Sequence, residues 1–345
     1  MKPAMNPGVL QPAVVPIDRL GRVLRDLRIS VIETCNYRCP YCMPEDSTPP
    51  ESALDRARRL DFRQIESVVR SFVRMGVRKV RLTGGEPLLR KDLPSLVSRL
   101  AAIPGVEDLA LTTNASLLAG KAKALRNAGL HRLTISLDAI DPETFRHLSG
   151  GRGDVTDVLA GIAAAEAAGF GSIKFNTVVQ RGVNEGEVLR LVEKFRGTPH
   201  VLRFIEFMDV GTCNGWQPQA VVSSRELHDR IHARWPLRAL QPGYRGEVAA
   251  RHAFVDGQGE VGFVSSISAP FCGDCHRARL SADGQVFTCL FAAKGSDLRP
   301  AIELGEHAVE ARIAEIWGQR TDRYSELRQA DRRDSKKIEM FFIGG

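Results

Sequence analysis

The chain has 345 residues, of which 43% are hydrophobic and 26% charged. These are the proportions of an ordinary globular protein rather than a disordered or collagenous one. That length suits one large α/β domain with a smaller companion, and no apolar run approaches the length of a membrane span. The formal charge of +7 is compatible with nucleic acid, a polyanionic small molecule or a merely solvated basic surface, and does not choose among them.

Taken in order, the chain opens on Pro3, Pro7, Pro12 and Pro16 without the apolar core of a signal peptide, which predicts a flexible arm over residues 1–18. A unit then repeats: a short strand-like run, a polar loop, a helix-like stretch. The predicted strands are Arg28–Ile32, Lys79–Thr83, Asp108–Asn114, Arg132–Asp138, Lys174–Gln180 and Val201–Met208. Helical patterns over Phe62–Met75, Leu93–Ala102, Gly120–Ala128, Val155–Ala168 and Glu185–Phe195 lie between them. Alternation of this kind implies parallel strands with right-handed crossovers. The expectation is an α/β fold: a partial (β/α)6 TIM-type barrel over residues 19–240 with a C-terminal extension, 241–345. An open doubly wound sheet is the competing geometry.

Parallel strands buried on both faces read as nearly continuous apolar runs. These do not. Val80 and Leu82 alternate with Lys79, Arg81 and Thr83; Leu109 and Leu111 with Asp108, Ala110, Thr112 and Asn114. Leu133, Ile135 and Leu137 alternate with Arg132, Thr134, Ser136 and Asp138, and Ile173, Phe175 and Val179 with Lys174, Asn176 and Gln180. With a side-chain period of two, one face packs on helices and the other is polar and charged. Unpaired buried Lys and Arg are costly, so such an interior calls for a large anionic ligand. The sixth run, with Arg203 on one parity and Glu206 and Met208 on the other, does not declare its faces.

Six of the seven cysteines fall into two groups, a usage that fits metal-bound thiolates in a reducing compartment better than a disulfide framework. Cys35, Cys39 and Cys42 occupy one short loop after the first strand. Three thiolates can hold three corners of a cubane iron–sulfur cluster and leave the fourth iron open. Gly84-Gly85-Glu86-Pro87 ends the second strand, where glycines let the backbone approach a ligand and Glu86 adds an acceptor. The second group is Cys272, Cys275 and Cys289. A second open cluster is one reading; a zinc site completed by His276 or Cys213 is the other. Arg277 and Arg279, two apart beside that group, offer guanidinium forks suited to phosphate. Cys213 reads as an incidental thiol without a partner.

These residues resemble a known family. Cys35-x3-Cys39-x2-Cys42 with Tyr41, followed by Gly84–Pro87, is similar to radical S-adenosylmethionine enzymes. Leu27–Val31, Leu82–Arg90, Leu111–Asn114, Ser136–Ala139, Arg203–Gly211, Cys272–Phe291 and the terminal Gly344-Gly345 resemble, more narrowly, the GTP 3′,8-cyclases of molybdenum cofactor biosynthesis. Departures are Glu33-Thr34 before the first cysteine, where the family usually has Asp-Arg, and His276, where it often has Asn or Thr.

The resemblance implies two [4Fe–4S] clusters, one on Cys35, Cys39 and Cys42 and one on Cys272, Cys275 and Cys289. It implies that S-adenosylmethionine is contacted by Tyr41, Gly84, Gly85, Glu86, Ser136 and Met208. Arg28, Lys79, Arg81, Thr112, Lys174, Arg203 and the Arg277-Ala278-Arg279 segment are implied to bind GTP. Arg277, Arg279, Gly344 and Gly345 are implied to serve the reaction, the glycines through their backbone. That reaction converts GTP to (8S)-3′,8-cyclo-7,8-dihydroguanosine 5′-triphosphate through a 5′-deoxyadenosyl radical that abstracts the ribose C3′ hydrogen. Further implications are a reduced flavodoxin- or ferredoxin-type electron donor, a downstream cyclic pyranopterin monophosphate synthase, a cytoplasmic monomer or homodimer, and no role for nucleic acid or membrane.

Overall fold

The computed structural model describes residues 15–45, 58–328 and 337–344. Five βα repeats and a sixth strand come first. They are β1 (Asp26–Ser30), α1 (Phe62–Arg74), β2 (Lys79–Thr83), α2 (Leu93–Ala101), β3 (Asp108–Thr113), α3 (Ala122–Asn127), β4 (Arg132–Ser136), α4 (Pro142–Leu148), α5 (Val155–Ala167), β5 (Lys174–Val179), α6 (Glu187–Phe195) and β6 (Val201–Glu206). After α7 (Ser224–Arg234) the chain forms β7 (Leu237–Ala239), β8 (Ala250–Phe254), β9 (Glu260–Val264), β10 (Arg277–Leu280), β11 (Gln285–Phe287) and β12 (Ser296–Asp297). It closes with α8 (Arg299–Leu304), α9 (Glu306–Gly318), α10 (Tyr324–Leu327) and α11 (Met340–Ile343).

The strands form one sheet in the order β12-β11-β10-β1-β2-β3-β4-β5-β6-β9-β8-β7. All neighbours from β10 through to β9 are parallel, and antiparallel pairs flank them at both ends. This is an α/β fold with a predominantly parallel sheet. The sheet runs without a break across residue 240, because β6 pairs with β9 in the C-terminal part and β1 pairs with β10.

The expected alternation gives the sheet its two sides. Leu27, Ile29, Val80, Leu82, Leu109, Leu111, Leu133, Ile135, Phe175 and Phe204 are buried in the hydrophobic core against the helices. The amphipathic helices supply the matching face: α1 buries Ile65, Val68, Val69 and Phe72, and starts on a capping box between Asp61 and Gln64. The short helix α4, absent from the predicted elements, is capped by Asp141 with Pro142 at its first position.

Of the arm expected to be loose, residues 1–14 lie outside the described residues. Ile17 bridges to Val23, and Asp18 is buried, accepting from Arg22. Among the described residues no helix is long and apolar enough to cross a membrane.

Candidate active site

The polar face of the sheet lines one cavity, and all six grouped cysteines border it. The first group follows the C-terminal end of β1, while Cys272 and Cys275 precede the N-terminal end of β10, which runs parallel to β1. Cys289 follows β11, which is antiparallel to β10 and so returns to that same end. The two cysteine groups are therefore at opposite ends of the parallel strands.

Between them the strand register stacks side chains in rows. Arg279, Arg28 and Arg81 are neighbours across β10, β1 and β2, with Ala110 and then Arg132 beyond. One step toward the strand N-termini, Arg277, Asp26, Lys79 and Asp108 align. Further along, Thr112, Thr134 and Lys174 align, then Ser136, Asn176 and Arg203. Arg81 donates to the Thr112 and Thr134 hydroxyls at 2.9 and 2.8 Å, which fixes its guanidinium without neutralising it.

Charge is not balanced here. Asp108 pairs with Arg132 and lies 3.6 Å from Lys79. Among the described residues, none of Arg28, Arg81, Lys174, Arg203 and Arg279 has a carboxylate within the 4.0 Å of an ion pair. Burial, then the Arg279, Arg277 and Arg81 guanidiniums, drives Arg28 far below the usual arginine range. Burial followed by Arg132 and Arg203 brings Arg81 to about 10, and burial followed by Arg277 brings Arg279 to about 10. Lys174 falls to about 7 through burial, then Arg203 and Arg132. Arginine stays protonated in proteins, so these shifts express the cost of burying charge together with mutual repulsion, both of which an anion would relieve. Arg203 Nε and Asn176 Oδ1, side by side in the register, are buried without hydrogen-bond partners among the described residues.

At the first cysteine loop, Cys42 and Met43 amides donate to the Cys39 carbonyl, closing a tight turn. The Tyr41 hydroxyl donates to Asp138. Burial raises the thiol of Cys35 to about 11 and that of Cys39 well above its ordinary value. For Cys275, burial acts upward, but Arg277 and Arg320 outweigh it and bring the thiol down to about 6. Arg277 Nη2 lies 3.4 Å from its sulfur. The seven cysteines form no disulfide with one another. Among the described residues, no three His, Cys, Asp or Glu side chains gather around a single-ion site.

The glycines after β2 serve a backbone neighbour. A Cβ on Gly84 would sit 2.2 Å from the Ile32 carbonyl oxygen, and one on Gly85 2.1 Å from that of Thr34. The Gly85 and Glu86 amides donate to those same carbonyls, so the turn after β2 is bonded to the segment entering the first cysteine loop. Glu86 borders the cavity, yet its oxygens already accept from Leu88 and Asn114 amides and the Thr113 hydroxyl.

The sequence-predicted residues distribute as follows. Tyr41, Gly84, Gly85, Glu86, Ser136, Met208, Arg28, Lys79, Arg81, Thr112, Lys174, Arg203, Arg277 and Arg279 all line the cavity. Ala278 does not: on a strand of period two it is turned into the core between the two arginines. His276 shares that opposite parity and does not line the cavity itself, though its Nδ1 lies 3.6 Å from the lining residue Asp26. The sixth strand ends at Glu206, which is why its parity breaks; Arg203 and Ile205 face the cavity, while Glu206 is buried and caps the Ser224, Ile267 and Ser268 amides.

Cys213 corrects the expectation of a thiol without a partner: it donates to Glu339 Oε2 at 2.9 Å and lies near the Cys42 carbonyl. Gly344 has φ +70°, a Cβ there would meet Thr83 Cγ2 at 2.3 Å, and its carbonyl lies 3.4 Å from Arg279 Nη1. Gly345 lies outside the described residues. Cavity residues missed by sequence reading include Tyr244, whose ring carries the Lys79 ammonium at 5.0 Å, and Phe271 beneath Arg277. Both are in irregular segments where no periodicity signals direction.

Residues 29–195 match the Radical SAM superfamily, and residues 200–326 match Molybdenum Cofactor Synthesis C. The chain is 65% identical to a GTP 3′,8-cyclase of Xanthomonas axonopodis pv. citri (strain 306), over 95% of this chain and 98% of that protein. It is 49% identical to a GTP 3′,8-cyclase of Acidothermus cellulolyticus, again over 95% of this chain and 98% of the relative. Among solved structures, Streptococcus suis SuiB bound to S-adenosylmethionine superposes with a TM-score of 0.59 at 14% identity, covering 86% of this chain and 66% of SuiB, a likeness of fold. With full-length relatives at that identity, and with the cysteine loop and cationic strand face in one cavity, the chain belongs to the GTP 3′,8-cyclase family of radical S-adenosylmethionine enzymes.

Proposed function

We propose that the chain converts GTP to (8S)-3′,8-cyclo-7,8-dihydroguanosine 5′-triphosphate, the first step of molybdenum cofactor biosynthesis. In this reading residues 19–240 form a partial (β/α)6 barrel and residues 241–345 complete its cavity. The observation that carries it is the row Arg279, Arg28, Arg81, cationic and without carboxylate partners, between two three-cysteine groups. A triphosphate supplies the missing negative charge at low dielectric.

Cys35, Cys39 and Cys42 would hold one [4Fe–4S] cluster, and Cys272, Cys275 and Cys289 another. Each group offers three thiols, the donor set of a cluster with one open iron. When bound, the first cluster would supply the electron that cleaves S-adenosylmethionine to methionine and the 5′-deoxyadenosyl radical that takes the GTP C3′ hydrogen; C3′ would then bond to guanine C8, and a second electron from the donor together with a proton would complete the 7,8-dihydro product.

The side chains do the placing. Arg28, Arg81, Lys174, Arg203, Arg277 and Arg279 bind and orient the nucleotide, with Lys79 and Thr112 beside them. Tyr41, Gly85, Ser136 and Met208, at or beyond the C-terminal strand ends, hold S-adenosylmethionine over the first cysteine loop. Glu86 ties the turn after β2 to the end of β3 through its bonds to Leu88, Thr113 and Asn114, and with Gly84 borders the cofactor's side of the cavity. Gly344 contributes a backbone carbonyl at Arg279. Such placement fixes the reacting carbon against its partner and keeps water out. A flavodoxin- or ferredoxin-type donor supplies electrons, and a cyclic pyranopterin monophosphate synthase takes the product.

Anaerobic reconstitution tests the ligand sets. About eight irons per chain are expected, falling to about four when either cysteine triad is replaced by alanine. A colourless protein with stoichiometric zinc at Cys272, Cys275 and Cys289 contradicts the reading.

A further inference from the structure

A buried ionic network frames the second cysteine group at the cavity wall, beyond the strand rows, where Thr288, Arg320 and Asp322 border the cavity. Arg320, just beyond α9, is 4% exposed. Its Nη1 donates to the Cys275 carbonyl at 2.6 Å, and its Nη2 to the Cys275 sulfur at 3.2 Å. Asp18 Oδ2 lies 3.5 Å from the same Nη1, across 302 positions of sequence, and also accepts from Arg22 Nε at 2.6 Å. Arg22 in turn donates to the Cys272 carbonyl at 2.8 Å. Asp322 accepts from Arg320 Nε and, at 2.5 Å, from the hydroxyl of Thr288, the residue before Cys289. The network thus reaches all three cysteines or their immediate neighbours.

Burying two guanidiniums and a carboxylate is expensive, and the Arg22 Nη2 atom remains buried without a partner. Apolar side chains of similar volume would hold a loop in place at lower cost. They could not put a full positive charge and an N–H donor on a ligand sulfur. The Trp317 ring, 4.6 Å from the Arg320 guanidinium, and its indole N–H on the Arg22 carbonyl keep that charge in one orientation.

We infer that Arg320 is a positioning residue that sets the reduction potential of the second cluster, with Asp18 and Arg22 fixing its fork. The inference rests on the reading of Cys272, Cys275 and Cys289 as cluster ligands. Reduction adds one negative charge to a cluster, and a guanidinium at hydrogen-bond distance from a ligand sulfur favours that reduced form. The potential is therefore raised, and the cluster accepts an electron more readily than its cysteines alone would allow.

The test is a redox titration, followed by electron paramagnetic resonance, of anaerobically reconstituted full-length wild type, Arg320→Gln and Arg320→Lys. A Cys35→Ala/Cys39→Ala/Cys42→Ala background identifies which signal belongs to the second cluster. Arg320→Gln is expected to lower the second midpoint and leave the first unmoved. Arg320→Lys keeps a cation beside Asp18 but loses the fork, so a smaller shift in the same direction is expected. If Arg320→Gln fails to hold the second cluster, Arg320→Lys decides by the same criterion. Full iron content with a second midpoint unchanged in the variants overturns the inference and leaves the two-cluster reading intact. A wild type with about four irons, unaffected by loss of Cys272, Cys275 and Cys289, overturns the two-cluster reading instead.

Discussion

The Tyr41 hydroxyl donates to Asp138 Oδ2 at 2.5 Å, tying the first cysteine loop to the segment just beyond β4. The other oxygen of Asp138 accepts from the Val178 amide at 2.8 Å, so one buried carboxylate joins that loop to two strands. Burial raises Asp138 to about 6, with the Tyr41 and Val178 hydrogen bonds acting against it. Tyr41→Phe leaves a buried carboxylate oxygen unpaired, a loss of about 1–3 kcal/mol. The cluster-free protein should show that loss in chemical denaturation above pH 6 and a smaller one below it, where Asp138 is protonated. An equal loss at both pH values would mean that the bond matters only through packing.

Lys174 gives a pH signature. Its ammonium is brought from 10.5 to about 7 by burial, then Arg203 and Arg132. Between those values the unfolded chain binds a proton that the folded chain does not, so the stability contributed by this residue rises with pH across that window. Lys174→Met should flatten that slope in the ligand-free protein. A bound triphosphate restores the charged form, so GTP binding near pH 8 should take up a proton, seen as buffer-dependent binding heats that Lys174→Met removes.

Arg28 tests whether the cationic row is kept for a ligand rather than for the fold. Arg28→Met removes a half-buried charge that has no ion-pair partner among the described residues, and the ligand-free protein should gain up to about 1 kcal/mol of stability. The same change should weaken GTP binding about ten- to hundredfold, the value of a charge-assisted hydrogen bond. Calorimetric binding with and without the substitution checks both signs at once. A destabilised variant with unchanged affinity would assign Arg28 to the fold.

The C-terminal segment is bonded at its start by Lys337 and Glu339. Glu339 accepts from the Thr212 amide and hydroxyl and from Cys213, while Lys337 reaches the Asp209 carboxylate at 2.9 Å. A Cβ on Gly211, where φ is +72°, would lie 2.1 Å from Glu339 Oε2. Gly211→Ala should expel Glu339, raise hydrogen exchange across residues 338–344 without affecting β1–β6, and lower turnover about tenfold or more through misplacement of Gly344. Unchanged exchange in that segment would show that the latch is elsewhere.

What could be read from sequence was whatever repeats with period two. Arg81, Thr112, Ser136 and Lys174 were expected on the polar face because Leu82, Leu111, Ile135 and Phe175 beside them demand the other, and the cavity receives all four. The same period explains why Ala278, grouped with its flanking arginines, turns into the core. Strand order was not legible, since the pairing of β1 with β10 joins positions 251 apart with no local signal. Nor were Asp18, Arg22 and Arg320, whose meeting depends on where the last helices fold back onto the N-terminal segment. Gly84 and Gly85 were read as letting the backbone approach a ligand, and both line the cavity; that the space a Cβ would take is filled by the backbone of Ile32 and Thr34 was not legible, since it depends on which strand lies next door.

The central claim is that this cavity brings the C3′ hydrogen of GTP to a radical generated at the first cysteine loop. The most direct measurement is an anaerobic reaction with dithionite, S-adenosylmethionine and GTP deuterated at C3′, followed by mass analysis of both products. Deuterium in 5′-deoxyadenosine, together with a nucleotide cyclised between C3′ and C8, is the predicted result. Deoxyadenosine that forms equally without GTP and carries no label would contradict it.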